Sequence, residues 1–170
     1  HGAIPKYHGE GWFVNVDVAS YYPSLMLVYK WLSRNVHDPS KYAEIYHTRL
    51  KLKAEKNPMQ QPYKIVLNST YGAMKDKHNA MYDPRQANNV CVGGQLLLLD
   101  LIERLEDHCE IIQSNTDGIL VKLRRYEDFE MLDDLCWEWE QRTGMRLEFD
   151  EFQKVYQKDV NNYIIVPSGP

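Results

Sequence analysis

The tightest constraint on this sequence is a strand that must find its partners across most of the chain. From Gly11 to Val18 apolar and polar side chains alternate through Trp12, Phe13, Val14, Asn15 and Val16, a half-buried strand that stops at Asp17. The next segments of strand character, Glu110 to Gln113 and Gly118 to Leu123, flank the turn Asn115-Thr116-Asp117 and read as a hairpin with a polar tip. Everything between is helical in pattern. The sheet is therefore non-local, and both of its conspicuous aspartates fall at strand ends.

The intervening punctuation divides the helices. Pro23 opens a short helix over Ser24 to Ser33, and Asp38-Pro39-Ser40 opens another that runs to about Lys56 before Asn57-Pro58 stops it. The pattern resumes at Pro62 and continues through Lys64 to about Met74, so residues 41–75 read as an antiparallel helical hairpin inserted in a sheet domain. From Ala87 to Leu105 apolar residues lie almost all round the helix, which predicts burial, with Gly93-Gly94 permitting close packing. A helix over Tyr126 to Thr143 ends at Gly144, and strands follow near Arg146 to Phe149, Gln153 to Gln157 and Asn162 to Val166. The order predicts an α+β fold, an antiparallel sheet covered by helices on one side.

No stretch approaches the length of a membrane span, and His1-Gly2-Ala3-Ile4-Pro5 does not read as a leader, so the expectation is a soluble, cytoplasmic piece of a longer protein. Cys91, Cys109 and Cys136 show no C-x-x-C spacing, which argues against a zinc site or a disulfide framework and for buried free thiols. The net charge of -4 is unfavourable for a nucleic-acid binder taken as an average. Its distribution is not. Residues 41–86 carry nine Lys or Arg against four acids, while 127–151 carry ten acids and two arginines, which reads as a basic face and a solvated acidic back.

Magnesium takes hard oxygen ligands, and phosphoryl displacement uses two such ions about 3.5–4 Å apart to clamp the attacking and leaving oxygens. Asp17 and Asp117 are the candidate ligands, since strand ends can converge. A lone N-T-D-G is ordinarily only a turn. Its company matters. Lys64, Asn68 and Tyr71 share one helical face at i, i+4 and i+7, and Arg49 with Lys53 share a face of the partner helix, a cationic cleft suited to a triphosphate. Tyr71-Gly72 suits stacking with close backbone approach, and Tyr22, five residues after Asp17, is placed to lie beneath a sugar.

Asp17-Val18-Ala19-Ser20-Tyr21-Tyr22-Pro23-Ser24 resembles the first motif of family B DNA polymerases, D-x-x-S-L-Y-P-S, with Tyr21 in place of Leu. Lys64 to Gly72 matches their K-x-x-x-N-S-x-Y-G at every fixed position, and Asn115-Thr116-Asp117-Gly118 resembles their D-T-D-S with Asn115 and Gly118 as departures. The resemblance implies a palm over residues 1–40 and 76–170 with fingers over 41–75. It implies Asp17 and Asp117 as catalytic residues, and Asp17, the Val18 carbonyl and Asp117 as ligands of two Mg2+ ions, with Mn2+ the alternative. Nucleotide binding falls to the backbone at Ser20 and Tyr21, to Tyr22 as sugar gate, and to Arg49, Lys53, Lys64, Asn68 and Tyr71. Contacts to DNA fall to Tyr71, Gly72, Lys158 and Tyr163, the last in Asn161-Asn162-Tyr163 where the family has K-K-x-Y.

The implied partners are dNTP, primer-template DNA, and exonuclease and thumb domains outside these residues, with no membrane. The short hairpin resembles phage or mobile-element members, which would place the protein in a host cytoplasm. The alternative carried forward is a nucleotide- or DNA-binding module of the same fold with weak or no catalysis.

Overall fold

The computed structural model describes residues 2–4, 6–159 and 162–167, with side chains as far as Val155. The alternating segment forms the long strand β2, His8–Val18, which lies inside a six-stranded antiparallel sheet. In chain order the elements are β1 Gly2–Ala3, β2, α1 Tyr21–Val28, α2 Pro39–Ala54, α3 Gln60–Lys75, α4 Pro84–Leu105, β3 Glu110–Ser114, β4 Gly118–Leu123, α5 Asp128–Thr143, β5 Leu147–Asp159 and β6 Asn162–Pro167. The sheet order is β1-β3-β4-β2-β5-β6. This is the α+β architecture the alternation predicts. The chain divides into two compact units, residues 1–19 with 95–170, and residues 20–94.

In the first unit, the two faces of β2 have different fates. Val14, Val16 and Val18 are buried on one face, together with Ile119, Val121 and Leu123 of β4. On the other, Phe13 packs with Ile112, Leu120 and Val155, edged by Ile4, Tyr7 and Phe152. Further along that second face, toward the end of β2, the side chains become polar. Helix α5 buries Leu132, Cys136, Trp139 and Thr143 at helical spacing, and the Trp139 indole donates to the Leu97 carbonyl at 2.9 Å. Arg104 to Glu138 and Arg142 to Asp100 close the rim of that contact.

The second unit holds α1, the α2–α3 pair and the first half of α4. Asp38 caps α2 by accepting from the Ser40 amide, with Pro39 at the first helical position. Tyr42, early in α2, donates to the Leu67 carbonyl at 3.0 Å, whereas Arg49, late in α2, meets Gln60 at the start of α3. Those pairings make the hairpin antiparallel. The glycine pair serves close packing: a Cβ on Gly93 would fall 2.4 Å from the Trp31 ring, and one on Gly94 would crowd Leu25 and Tyr21. Asp83, 3% exposed, receives a bidentate pair from Arg34 and the Arg34 amide, which ties the loop after α1 to the start of α4.

Several expectations are corrected. α1 spans Tyr21–Val28 rather than continuing to Ser33, because Lys30 takes a left-handed conformation. The two strands expected between Arg146 and Gln157 are one, β5, since it pairs continuously along β2 apart from one irregularity between Glu10 and Phe13. α4 is not buried all round: Ala87, Val90, Leu98, Leu101 and Leu105 are buried, while Val92, Leu96 and Leu99 are exposed along the opposite face. Cys109 and Cys136 are buried as expected, but Cys91 is only half-buried.

Candidate active site

Asp17 is the penultimate residue of β2, and strand pairing determines what surrounds it. In register, it lies opposite Gly118 of β4 on one side and Glu148 of β5 on the other. The Val18 amide donates to the Asp117 carbonyl at 2.7 Å, pinning the β3–β4 tip against the end of β2. Two aspartates far apart in the chain thus meet at one end of the sheet.

The Asp17 carboxyl is pushed up to about 6. Burial is the first cause, followed by the negative charges of Asp117, Asp150 and Glu148, while a 2.6 Å hydrogen bond from the Asn15 amide opposes them. Gly118 is what lets the carboxylate lie there, because a Cβ at that position would fall 1.9 Å from Asp17 Oδ1 and 2.8 Å from the Val16 carbonyl. Any side chain at 118 would displace it. Glycine at 118 is therefore matched to the local packing.

Asn115 has a structural task. Its side-chain oxygen accepts from the Gly118 amide at 3.0 Å and the Asp117 amide at 3.3 Å, and its own amide donates to the Gly118 carbonyl. An aspartate can make the same turn. The amide makes it without adding another negative charge to the cluster.

Glu148 and Asp150 were missed in the sequence and correct the reading of 127–151 as a uniformly solvated back. They occupy alternate positions of β5 opposite Asp17 and Asn15, and so share the face of the sheet that carries Asp17. The signal was available in the alternation Glu148-Phe149-Asp150, two acids at strand period with an aromatic between them.

Among the described residues, no group of three or more His, Cys, Asp or Glu side chains is arranged to hold a metal ion. The donor set that is present fits Mg2+ chemically. Two carboxylates of β2 and the β3–β4 tip, with a backbone carbonyl at Val18, supply only hard oxygens and leave other positions to water and phosphate, which magnesium prefers. A positive ion there would also relieve the repulsion that raises Asp17.

In the second unit, Ser20 precedes α1 in a left-handed conformation, φ 47°. The first-turn amides of a helix have no intrahelical acceptor, so this end of α1 is a suitable place for phosphate. Arg49 is buried, donates to Ser20 Oγ, and is held from the other side by Gln60 at 3.2 Å. Two of the expected nucleotide-binding residues are thereby joined. Tyr21 is buried with its hydroxyl on the Gly94 carbonyl, and burial pushes its pKa up. Its side chain is structural, and only its backbone is left for a ligand.

Tyr22 meets the Tyr71 ring edge-on at 4.7 Å, so the expected sugar gate and base-pair sensor are in contact. Lys64 and Asn68 are exposed on α3, and Lys53 is half-buried. Gly72 borders a groove of about 470 Å3 with Ile65, Val66, Ser69 and Met81, and a Cβ there would meet nothing within 4 Å. The side chains of Lys158 and Tyr163 lie outside the described ones.

No protein-family model matches the chain. DNA polymerase II of Escherichia coli (strain K12) is 29% identical over 97 residues, which is 55% of this chain and 12% of that protein. The structure of the family B DNA polymerase from the hyperthermophilic archaeon Pyrobaculum calidifontis superposes with a TM-score of 0.66 at 18% identity, over 98% of this chain and 28% of the archaeal one. The chain thus spans about an eighth of the curated relative and just over a quarter of the solved polymerase, and it has the latter's fold. Among the described residues, no helix is long and apolar enough to cross a membrane.

Proposed function

We propose that this chain is the palm and fingers of a DNA-directed DNA polymerase whose other parts, exonuclease and thumb among them, lie outside these residues. One observation carries the reading: Asp17 and Asp117 converge at one end of the sheet, and their mutual repulsion helps lift the Asp17 carboxyl to about 6. The likeness in fold and sequence to DNA polymerases supports it. Residues 1–40 and 76–170 serve as palm and 41–75 as fingers, in a compact polymerase of phage or mobile-element kind working in the host cytoplasm.

Bound Mg2+, or Mn2+ in its place, would lower the pKa of the primer 3'-hydroxyl and neutralise the leaving pyrophosphate. Asp17, Asp117 and the Val18 carbonyl would hold and orient that charge. Ser20 and Tyr21 offer backbone amides to the triphosphate, and Arg49, Lys53, Lys64 and Asn68 grip its oxygens. Arg49 starts from Ser20, so phosphate exchanges one oxygen acceptor for another without new desolvation of the guanidinium. Tyr22 closes the space at the sugar 2' position, Tyr71 and Gly72 face the nascent pair, and Lys158 and Tyr163 contact the primer strand.

Primer extension tests this. Asp17→Ala or Asp117→Ala in the parent polypeptide is expected to reduce extension by at least about a thousandfold. Undiminished extension by either variant removes the assignment. A second reading, a DNA- or nucleotide-binding module with little catalysis, is favoured by Asn115, whose amide brings no charge to the cluster. It predicts tight, metal-independent DNA binding without extension.

A further inference from the structure

The thiol of Cys91 is absorbed by none of the roles above. It is half-buried on α4 and hydrogen-bonded to the Tyr71 hydroxyl of α3, within the second unit. The Tyr71 ring is held on two further sides. Tyr22 meets it edge-on at 4.7 Å, and the Lys75 ammonium, one turn further along α3, sits 5.0 Å from its centroid. Tyr71 is thus placed by an aromatic edge, a cation and a sulfur, and Tyr22 rests on a ring whose far end is tethered to another helix. Burial and the thiol together push the Tyr71 pKa up, keeping its hydroxyl protonated and able to donate.

We propose that Cys91 is a positioning residue for sugar selection: by holding the Tyr71 hydroxyl it fixes the ring that buttresses Tyr22. The proposal rests on the polymerase reading. A thiol is a weak donor and acceptor, so it tethers the phenol softly where a hydroxyl would hold it more firmly. Loss of the tether lets Tyr71 tilt and Tyr22 follow, opening room for a 2'-hydroxyl while leaving the carboxylates of the sheet untouched.

Two measurements decide it. In the parent polypeptide, Cys91→Ala is expected to lower discrimination between dNTP and the matching ribonucleotide about three- to tenfold, through the ribonucleotide KM, with kcat for dNTP little changed. Cys91→Ser, which keeps a hydrogen-bonding group, is expected to restore most of it. In the chain itself, Ellman's reagent is expected to find Cys91 first, because burial pushes the thiols of Cys109 and Cys136 up to about 11 and about 12. Tyr71→Phe should then slow Cys91 labelling about threefold, because the hydroxyl that donates to the reacting sulfur is gone. Wild-type discrimination in Cys91→Ala, failure of Cys91→Ser to rescue, or unchanged labelling in Tyr71→Phe would each overturn the proposal. Absence of any nucleotide incorporation by the unmodified parent would instead sink the polymerase reading and sugar selection with it, while the labelling result would still decide the tether.

Discussion

Asp17 and Asp83 are both aspartates withdrawn from water, and their surroundings drive them in opposite directions. Asp83 accepts two guanidinium hydrogen bonds and a backbone amide from Arg34, and its carboxyl is held down at about 2. Asp17 has one amide donor and three acidic neighbours, and its carboxyl is raised to about 6. The first is a staple whose charge is matched inside the protein. The second is a charge the protein leaves for something else to match. Perturbed groups mark function most convincingly when the perturbation is uncompensated, and here the two cases stand in one small chain.

The largest expected effect comes from breaking the raised member. Asp17→Asn is expected to abolish metal-dependent extension by the parent polypeptide, as is Asp17→Ala, yet to raise the thermal stability of the metal-free chain, because it removes a charge that the fold repels. Thermal denaturation and primer extension on the same variant check both halves. A variant that loses stability as well as activity would show that Asp17 is a structural residue.

Breaking the staple should do the reverse. Asp83→Asn is expected to destabilise the second unit by about 2 kcal/mol, the range for a hydrogen bond to a charged group, kept modest because Arg34 is largely solvent-exposed. Denaturant unfolding measures it. Amide exchange in α4 should rise without any change in the response of the melting temperature to added Mg2+.

pH separates the pair further. Asp83 is depressed, so the folded state binds fewer protons there than the unfolded state; its stabilisation is present above about pH 4 and is lost as pH falls through about 2. Asp17 is raised, so the folded state binds more protons; stability falls as pH rises from about 4 through about 6 and then levels. Added Mg2+ should cancel that second loss, giving a rise in melting temperature that grows between pH 4 and 7 and is absent in Asp17→Asn.

The smallest effects come from the tip. Gly118→Ala should force the Asp17 carboxylate aside and cost about 1–2 kcal/mol, weakening Mg2+-induced stabilisation. Asn115→Asp keeps the turn but adds a charge, and is expected to lower metal-free stability by a few tenths of a kcal/mol while tightening Mg2+ binding. Calorimetric titration with Mg2+ resolves the two, since they move affinity in opposite directions.

Local chemistry carried much of this into the sequence. The caps at Asp38 and Gly144 appear where the residues demanded them, and the hairpin around Asn115-Thr116-Asp117 lies where the turn residues placed it. Asp17 at a strand end and Lys64, Asn68 and Tyr71 on one helix follow from periods of two and 3.6 alone. The misreadings share a cause. The end of α1 turns on a left-handed Lys30, which residue type does not announce, and the exposed face of α4 depends on what packs against a helix rather than on its composition.

The amino-acid sequence by itself determined the element types, the non-local sheet and the positions of the candidate site residues along those elements, because those depend on side-chain periodicity and on turn and capping preferences within a few positions. Only the tertiary structure decided which charges meet. Strand register set Glu148 opposite Asp17 and Gly118 beneath its carboxylate, and helix packing joined Tyr71 to Tyr22 and Cys91. A carboxylate's protonation depends on charges within a few ångströms, and those ångströms are spanned by pairing between segments that the chain holds far apart.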